Sequence, residues 1–208
     1  MKLNAKQLRD LEERRVQGEL RMIKRHPIYF ILENIYDTYN IGGLFRLADA
    51  IAAEKIYLCG EMEIPPNSRI KKASIGTYKI VPWEYHKSAS EAIADLRDLR
   101  SKTLDFRSKK INLSSKVESL KSMQVIAVEQ HPNSTDYRKT DYRLPLALVF
   151  GNESFGVTSQ TLELVDQIVE IPMFGVNKSL NVIVSAAIVS YWVIGRHSGD
   201  ERSENSRI

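Results

Sequence analysis

Apolar residues in this chain gather into short, nearly unbroken runs. Ile28–Leu32, Lys55–Cys59, Val125–Val128, Leu146–Phe150 and Gln167–Ile171 are each of strand length, and Tyr78–Val81 reads as a further, weaker one. Runs without polar alternation belong to strands covered on both faces, as in a parallel sheet. Helix signals fall between them. Residues 3–25 form a charged stretch with sparse apolar contacts, closed by Pro27, because the residue before a proline avoids the helical region. Asn40 opens a helix to Ala50 as its cap. Ser88 and Glu91 have capping-box spacing ahead of Ala92, Ile93, Leu96 and Leu99. A short helix is expected from Ser159 to Val165. Ser179 caps an almost wholly apolar helix to about Ile194. A helix apolar on every side must be covered on every side, in the core or at a subunit interface.

Strand, helix and strand in succession make βαβ units, so the fold class is α/β, a mostly parallel sheet flanked by helices. The expected division is a basic helical extension over 1–26, one domain over 27–195, and a disordered tail over 196–208. Residues 60–77 and 130–143 read as loops, and 101–122 as a helix extension followed by an exposed polar insertion.

Composition narrows the classes. The lone cysteine, Cys59, ends an apolar run and reads as a small buried hydrophobe, which fits a reducing cytosol. The first residues have no apolar signal region, and no run approaches the roughly 20 apolar residues that span a bilayer. A cytoplasmic protein without a membrane partner is expected. The net charge of +4 is mild, but its distribution is uneven. Arg14, Arg15, Arg21, Lys24 and Arg25 crowd the first segment, a second run extends from Arg97 to Lys121, and Arg69, Lys71 and Lys72 make a short basic piece between them. Such runs are either solvated helix faces or phosphate contacts for nucleic acid.

Hydrolase and metal chemistry find no support. The four histidines lack ligand spacing, so no metal is expected, and no G-x-S-x-G elbow occurs. Gly151 to Thr158 follows a buried strand and approaches a Walker loop, but Val157 stands where the lysine should be. A nucleotide-binding enzyme therefore has only this loop in its favour.

Three segments carry more. They are Asn40-x-Gly42-x-x-x-Arg46-x-Ala48-x-Ala50; Leu148-Val-Phe-Gly-Asn-Glu-Ser-Phe-Gly156; and Ile171-Pro-Met-Phe-Gly175, then Ser179-Leu-Asn-Val182. In order and spacing they resemble the signature motifs of the SpoU (TrmH-type) family of RNA ribose 2′-O-methyltransferases, of the SPOUT superfamily, over roughly residues 27–194. The resemblance implies a C-terminal trefoil knot, S-adenosyl-L-methionine as cofactor, a homodimer, and structured RNA as partner; the compactness of the chain favours transfer RNA slightly over ribosomal RNA. It points to Asn40, Arg46, Glu153, Ser179 and Asn181 for catalysis. Gly151, Ile171 and Leu180 would contact the cofactor, with Met173 and Gly175 close by. Arg46 would grip a phosphate and steady the developing alkoxide, since a guanidinium stays protonated and is no base. A non-catalytic RNA-binding protein with the same fold is the alternative from another class.

Two residues depart from the pattern. Ala53 stands where glycine is usual before the second strand, and Ile183 where a small polar residue is common. Both lie beside the expected chemistry, so repacking is expected there.

Overall fold

The computed structural model describes residues 24–108 and 123–204, with side chains over 24–98 and 123–197. In chain order the elements are β1 (His26–Glu33), α1 (Thr38–Ala50), β2 (Ala53–Cys59), α2 (Ser68–Ser74), β3 (Trp83–His86) and α3 (Ala89–Ser108). There follow β4 (Gln124–Val128), β5 (Thr135–Asp136), β6 (Leu146–Phe150), α4 (Ser159–Leu162), β7 (Gln167–Glu170) and α5 (Val182–Glu204). The expected helix over 3–25 and the end of the polar insertion lie outside the described residues.

All the pairings are parallel, and the sheet runs β3-β2-β1-β6-β4-β7-β5. Its central strands are the unbroken apolar runs, because helices cover both faces. Phe30, Leu32, Leu148 and Phe150 face a layer containing α1 and α5; Ile31, Ala147 and Val149 face one built on α3. The chain winds outward from β1 through β2 to β3, whereas β6 lies on the other flank of β1. An open parallel sheet leaves a crevice beyond its carboxyl ends where strand order reverses, which is where ligands bind.

Several local expectations need correction. Residues 77–79 form a 3₁₀ turn, and the strand is Trp83–His86, paired to β2. Residues 135–136 in the expected loop add an edge strand to β7. The cap of α1 is Asp37, whose carboxylate accepts from the Tyr39 N–H at 2.8 Å, so Asn40 lies inside the first turn. Helix α5 begins at Val182, not Ser179, and Asn181 caps it through the Ile183 N–H at 2.8 Å. The same helix runs on to Glu204, through part of the expected disordered tail.

The two departures are repacked. Ala53 is fully buried at the start of β2, and the left-handed turn before it falls on Ala52, at φ 50°. The Ile183 side chain fills the space beside Gly43, where an added Cβ would lie 2.3 Å from its Cδ1.

Candidate active site

A cavity of about 470 Å³ opens beyond the carboxyl ends of β4, β6 and β7. Its walls come from Val128–Gln130 after β4, Phe150–Gly156 after β6, Glu170–Met173 after β7, and the start of α5. These segments lie well apart in sequence and come together only through folding.

The β6 turn is the most heavily held of these walls. Its backbone doubles back on itself, so that a Cβ at Gly151 would lie 2.2 Å from the Gly156 carbonyl carbon and the Val157 nitrogen. Asn152 ties the turn internally by accepting from the Ser154 and Phe155 N–H groups at 2.8 and 3.0 Å. Its amide donates to the Asn34 carbonyl at 2.7 Å. From β1, the buried Glu33 carboxylate accepts from the Thr158 N–H at 2.8 Å, the Thr158 hydroxyl at 2.9 Å and the Thr161 hydroxyl at 2.6 Å. From the end of β4, Glu129 accepts from the Val157 N–H at 2.9 Å.

Three of the residues expected for catalysis join in one hydrogen-bonded chain. The Asn181 side-chain amide donates to Asn40 Oδ1 at 3.0 Å, and the Asn40 side-chain amide donates to Glu153 Oε1 at 2.8 Å. Glu153 also accepts from the Tyr36 and Asp37 N–H groups, both at 3.3 Å. Asn40 is buried and bridges α1 to the two turns, so the three sequence motifs meet at the cavity rim. The chain assigns both amide orientations, because each nitrogen must donate and each oxygen accept.

The remaining expected residues divide. Ser179, with Glu153 and Asn181, lines the cavity, as do Gly151, Ile171, Met173 and Leu180. Gly175 does not. Arg46 is exposed, nearly two turns along α1 from Asn40, and makes no hydrogen bond or ion pair among the described residues. The rim it was expected to share with Asn40 is not formed within one chain. Arg25 is half-buried and donates to the Ala53 and Ile80 carbonyls, both at 2.8 Å, so its guanidinium braces the start of β2. Arg69, Lys71 and Lys72 are exposed on α2, which packs close on Gly42 of α1. Arg14 and Arg15 lie outside the described residues.

The residues the sequence reading missed are Glu33 and Glu129. Their signal was a carboxylate closing an apolar run just before a loop, a pattern shared by many solvent-facing strand ends.

The lining decides which ligands fit. Phe150, Ile171, Met173, Leu180 and Val182 offer an apolar wall for a flat ring, and backbone groups of the turns surround it. Among the described residues the charged lining groups are Glu129, Glu153 and Glu170, with no Lys, Arg or His. A nucleoside triphosphate would meet like charge throughout, so the near-Walker reading fails. An adenosyl group carrying a sulfonium fits both the size and the sign.

Two features stand apart from the cavity. Burial, reinforced by the charges of Glu33 and Glu91, pushes the Cys59 thiol far above its ordinary range, which makes it inert as a nucleophile. At the sheet edge His86 lies 3.7 Å from Glu84 and 4.0 Å from Asp95, while Lys55 already pairs with Glu84.

Comparison with known proteins agrees with this geometry. The model of the SpoU rRNA Methylase family matches residues 27–118 and 107–191. The tRNA (guanosine(18)-2′-O)-methyltransferase of Escherichia coli K12 is 26% identical over 174 residues, 82% of this chain and 64% of that protein. The chain thus spans somewhat under two thirds of that relative. The enzyme of the same name from Thermus thermophilus is 27% identical over 183 residues, 88% of this chain and 81% of that one. The fold matches the SpoU methyltransferase AviRb from Streptomyces viridochromogenes, solved with AdoMet, at a TM-score of 0.70 and 20% identity over 85% of this chain and 63% of that one. With three motifs meeting at one cavity and a family model that covers most of its length, the chain belongs to the SpoU rRNA Methylase family.

Proposed function

We propose that the chain is an S-adenosyl-L-methionine-dependent methyltransferase acting on a ribose 2′-hydroxyl of structured RNA, with transfer RNA favoured over ribosomal RNA. The observation that carries this reading is the Asn181–Asn40–Glu153 chain, set on the rim of a cavity whose charged lining is wholly acidic. When bound, the cofactor supplies a methyl group made electrophilic by a sulfonium sulfur. The protein's part is positioning and electrostatics.

Gly151, Ile171 and Leu180 would hold the cofactor, with Met173 beside them. Asn40 keeps Glu153 and Asn181 in register, so that strand-end turns separated in sequence act as one surface. Ser179 lines the cavity, where its hydroxyl would bond an incoming ribose. Arg46 is free to take an RNA phosphate and steady the developing alkoxide, while the hydroxyl proton leaves to that phosphate or to water. Arg69, Lys71 and Lys72 extend the phosphate-binding surface, and Arg14 and Arg15 would add to it from the N-terminal segment. That the E. coli and Thermus relatives are tRNA methyltransferases favours transfer RNA.

The same reading gives a cytoplasmic homodimer, with the two turns and α5 forming the trefoil knot. Support for the dimer comes from apolar surface around the cavity that one chain leaves open. Phe155, Phe174 and Val176 are almost fully exposed, and Val184 and Tyr191 of α5 are half-exposed. An all-apolar helix was expected to be covered on every side, and a second copy would cover it.

The test is transfer of labelled methyl to unmodified transfer and ribosomal RNA, followed by mass spectrometry of the nucleosides. A 2′-O-methyl nucleoside is expected, and Asn40→Ala should lower kcat/KM on the order of 100-fold or more. A base-methylated product, or no product with either RNA, would refute the assignment.

A further inference from the structure

One of the cavity's carboxylates is built rigidly into its wall. Glu129 follows β4, and its N–H donates to the Val169 carbonyl of β7 at 2.9 Å. Its Oε2 accepts from the Val157 N–H and its Oε1 from the Gln130 N–H, each at 2.9 Å. A Cβ at Gly156, which has φ 71°, would come within 2.4 Å of Oε2, so a side chain there would drive the carboxylate from its place. Both oxygens are therefore fixed, yet each has accepted a single donor, and a carboxylate has about four acceptor positions. Among the described residues no Lys, Arg or His pairs with it.

We propose that Glu129 is a charge-specificity residue: it makes the cavity prefer an adenosyl ligand bearing a sulfonium over the neutral thioether that remains once the methyl has gone. This rests on the reading that the cavity takes S-adenosyl-L-methionine. The two ligands have nearly the same shape and share the ammonium and carboxylate of the amino-acid part. They differ by one methyl and one positive charge at sulfur, so packing alone separates them weakly. A cavity of about 470 Å³ is roughly one Debye length across, so a charge bound in it is little screened from Glu129. Glu153 is less suited to this role, because its oxygens already take three donors from Tyr36, Asp37 and Asn40. The consequence is directional: the cavity holds the charged cofactor and loosens its grip on the neutral product.

Calorimetric titration with S-adenosylmethionine and with S-adenosylhomocysteine tests this without any turnover. The wild-type protein should prefer the sulfonium. Glu129→Gln removes the charge and leaves one of the two N–H donors facing an amide nitrogen, so it should loosen the turn for both ligands yet weaken S-adenosylmethionine about tenfold more than S-adenosylhomocysteine. Glu129→Asp keeps the charge and should restore most of the preference, whereas Glu33→Gln, which braces the same turn outside the cavity lining, should weaken both ligands alike. Equal losses for both ligands in Glu129→Gln, or none, would overturn the proposal. Should that variant not fold, equal affinities of the wild-type protein for the two ligands would overturn it as well. A wild-type protein that binds neither ligand would instead refute the underlying cofactor reading.

Discussion

Two arms frame the cavity, and they are built in opposite ways. The turn from Gly151 to Thr158 is held from four directions: by Asn34, by Glu33, by Glu129, and by the Tyr36 and Asp37 amides on Glu153. The loop over 172–180 makes no hydrogen bond among the described residues, and Phe174 and Val176 stand wholly in solvent. Buried polar groups need partners, and exposed apolar side chains gain nothing from water. The first arm is thus finished by its own chain, whereas the second keeps apolar side chains exposed that a second copy would cover in the proposed dimer. A turn that must present backbone groups to a ligand in fixed geometry benefits from bracing before binding, whereas a loop at a subunit boundary can be ordered by the partner.

The largest expected effect breaks the braced arm. Glu33→Ala leaves the buried Thr161 hydroxyl, and the more exposed Thr158 N–H and hydroxyl, without their acceptor. It should cost about 3 kcal/mol in urea unfolding, because an abandoned buried donor loses roughly 1–3 kcal/mol and the partly exposed ones add less. A loss below about 1 kcal/mol would show that the turn does not depend on β1. Gly151→Ala comes next. Its Cβ would meet backbone atoms of Gly156 and Val157, which cannot swing aside as a side chain can. About 2 kcal/mol is expected, with weakened cofactor binding in the same titration. Unchanged stability and affinity would mean the turn can open without cost.

The contrast also explains what could be read beforehand. Strands β1, β2, β4 and β6 were legible because strands buried on both faces carry long apolar runs, and the partly buried β7 was legible from Ile168 and Val169. Strand β3 was not. Trp83-Glu-Tyr-His86 is short, mostly exposed and mixed in polarity, and only its pairing with Ile56–Cys59 makes it a strand. The positions expected for catalysis were singled out by motif spacing, but their capping roles were misassigned. Asn40 and Ser179 resemble caps in composition, whereas Asp37 and Asn181 do the capping. That frees Asn40 to point inward and join Glu153 to Asn181. Nothing in the sequence shows that Glu33 faces Thr158, since that contact joins residues 125 apart.

Breaking the second arm should look different in kind. Val184→Asp puts a charge on the half-exposed face of α5. In a dimer that charge would be buried without a partner, so self-association should weaken by about 2 kcal/mol, or some 30-fold, in sedimentation at varied concentration. The stability of the dilute single chain should stay within about 0.5 kcal/mol. A sedimentation profile of a monomer at every concentration, for wild type and variant alike, would remove the second copy as the covering surface.

The smallest effect is the most discriminating. Phe174 is 92% exposed and touches no hydrogen-bonded framework. Phe174→Ser in the dilute chain should therefore change unfolding stability by less than about 0.5 kcal/mol, although a phenylalanine lost from a core costs about 3–5 kcal/mol. The same substitution measured at concentrations where the wild type self-associates should lower the melting temperature, since only there is the ring covered. A loss of about 2 kcal/mol or more in the dilute chain would show that its own residues already bury Phe174. The two arms would then be braced alike, and the case for a covering partner would have to rest on α5 alone.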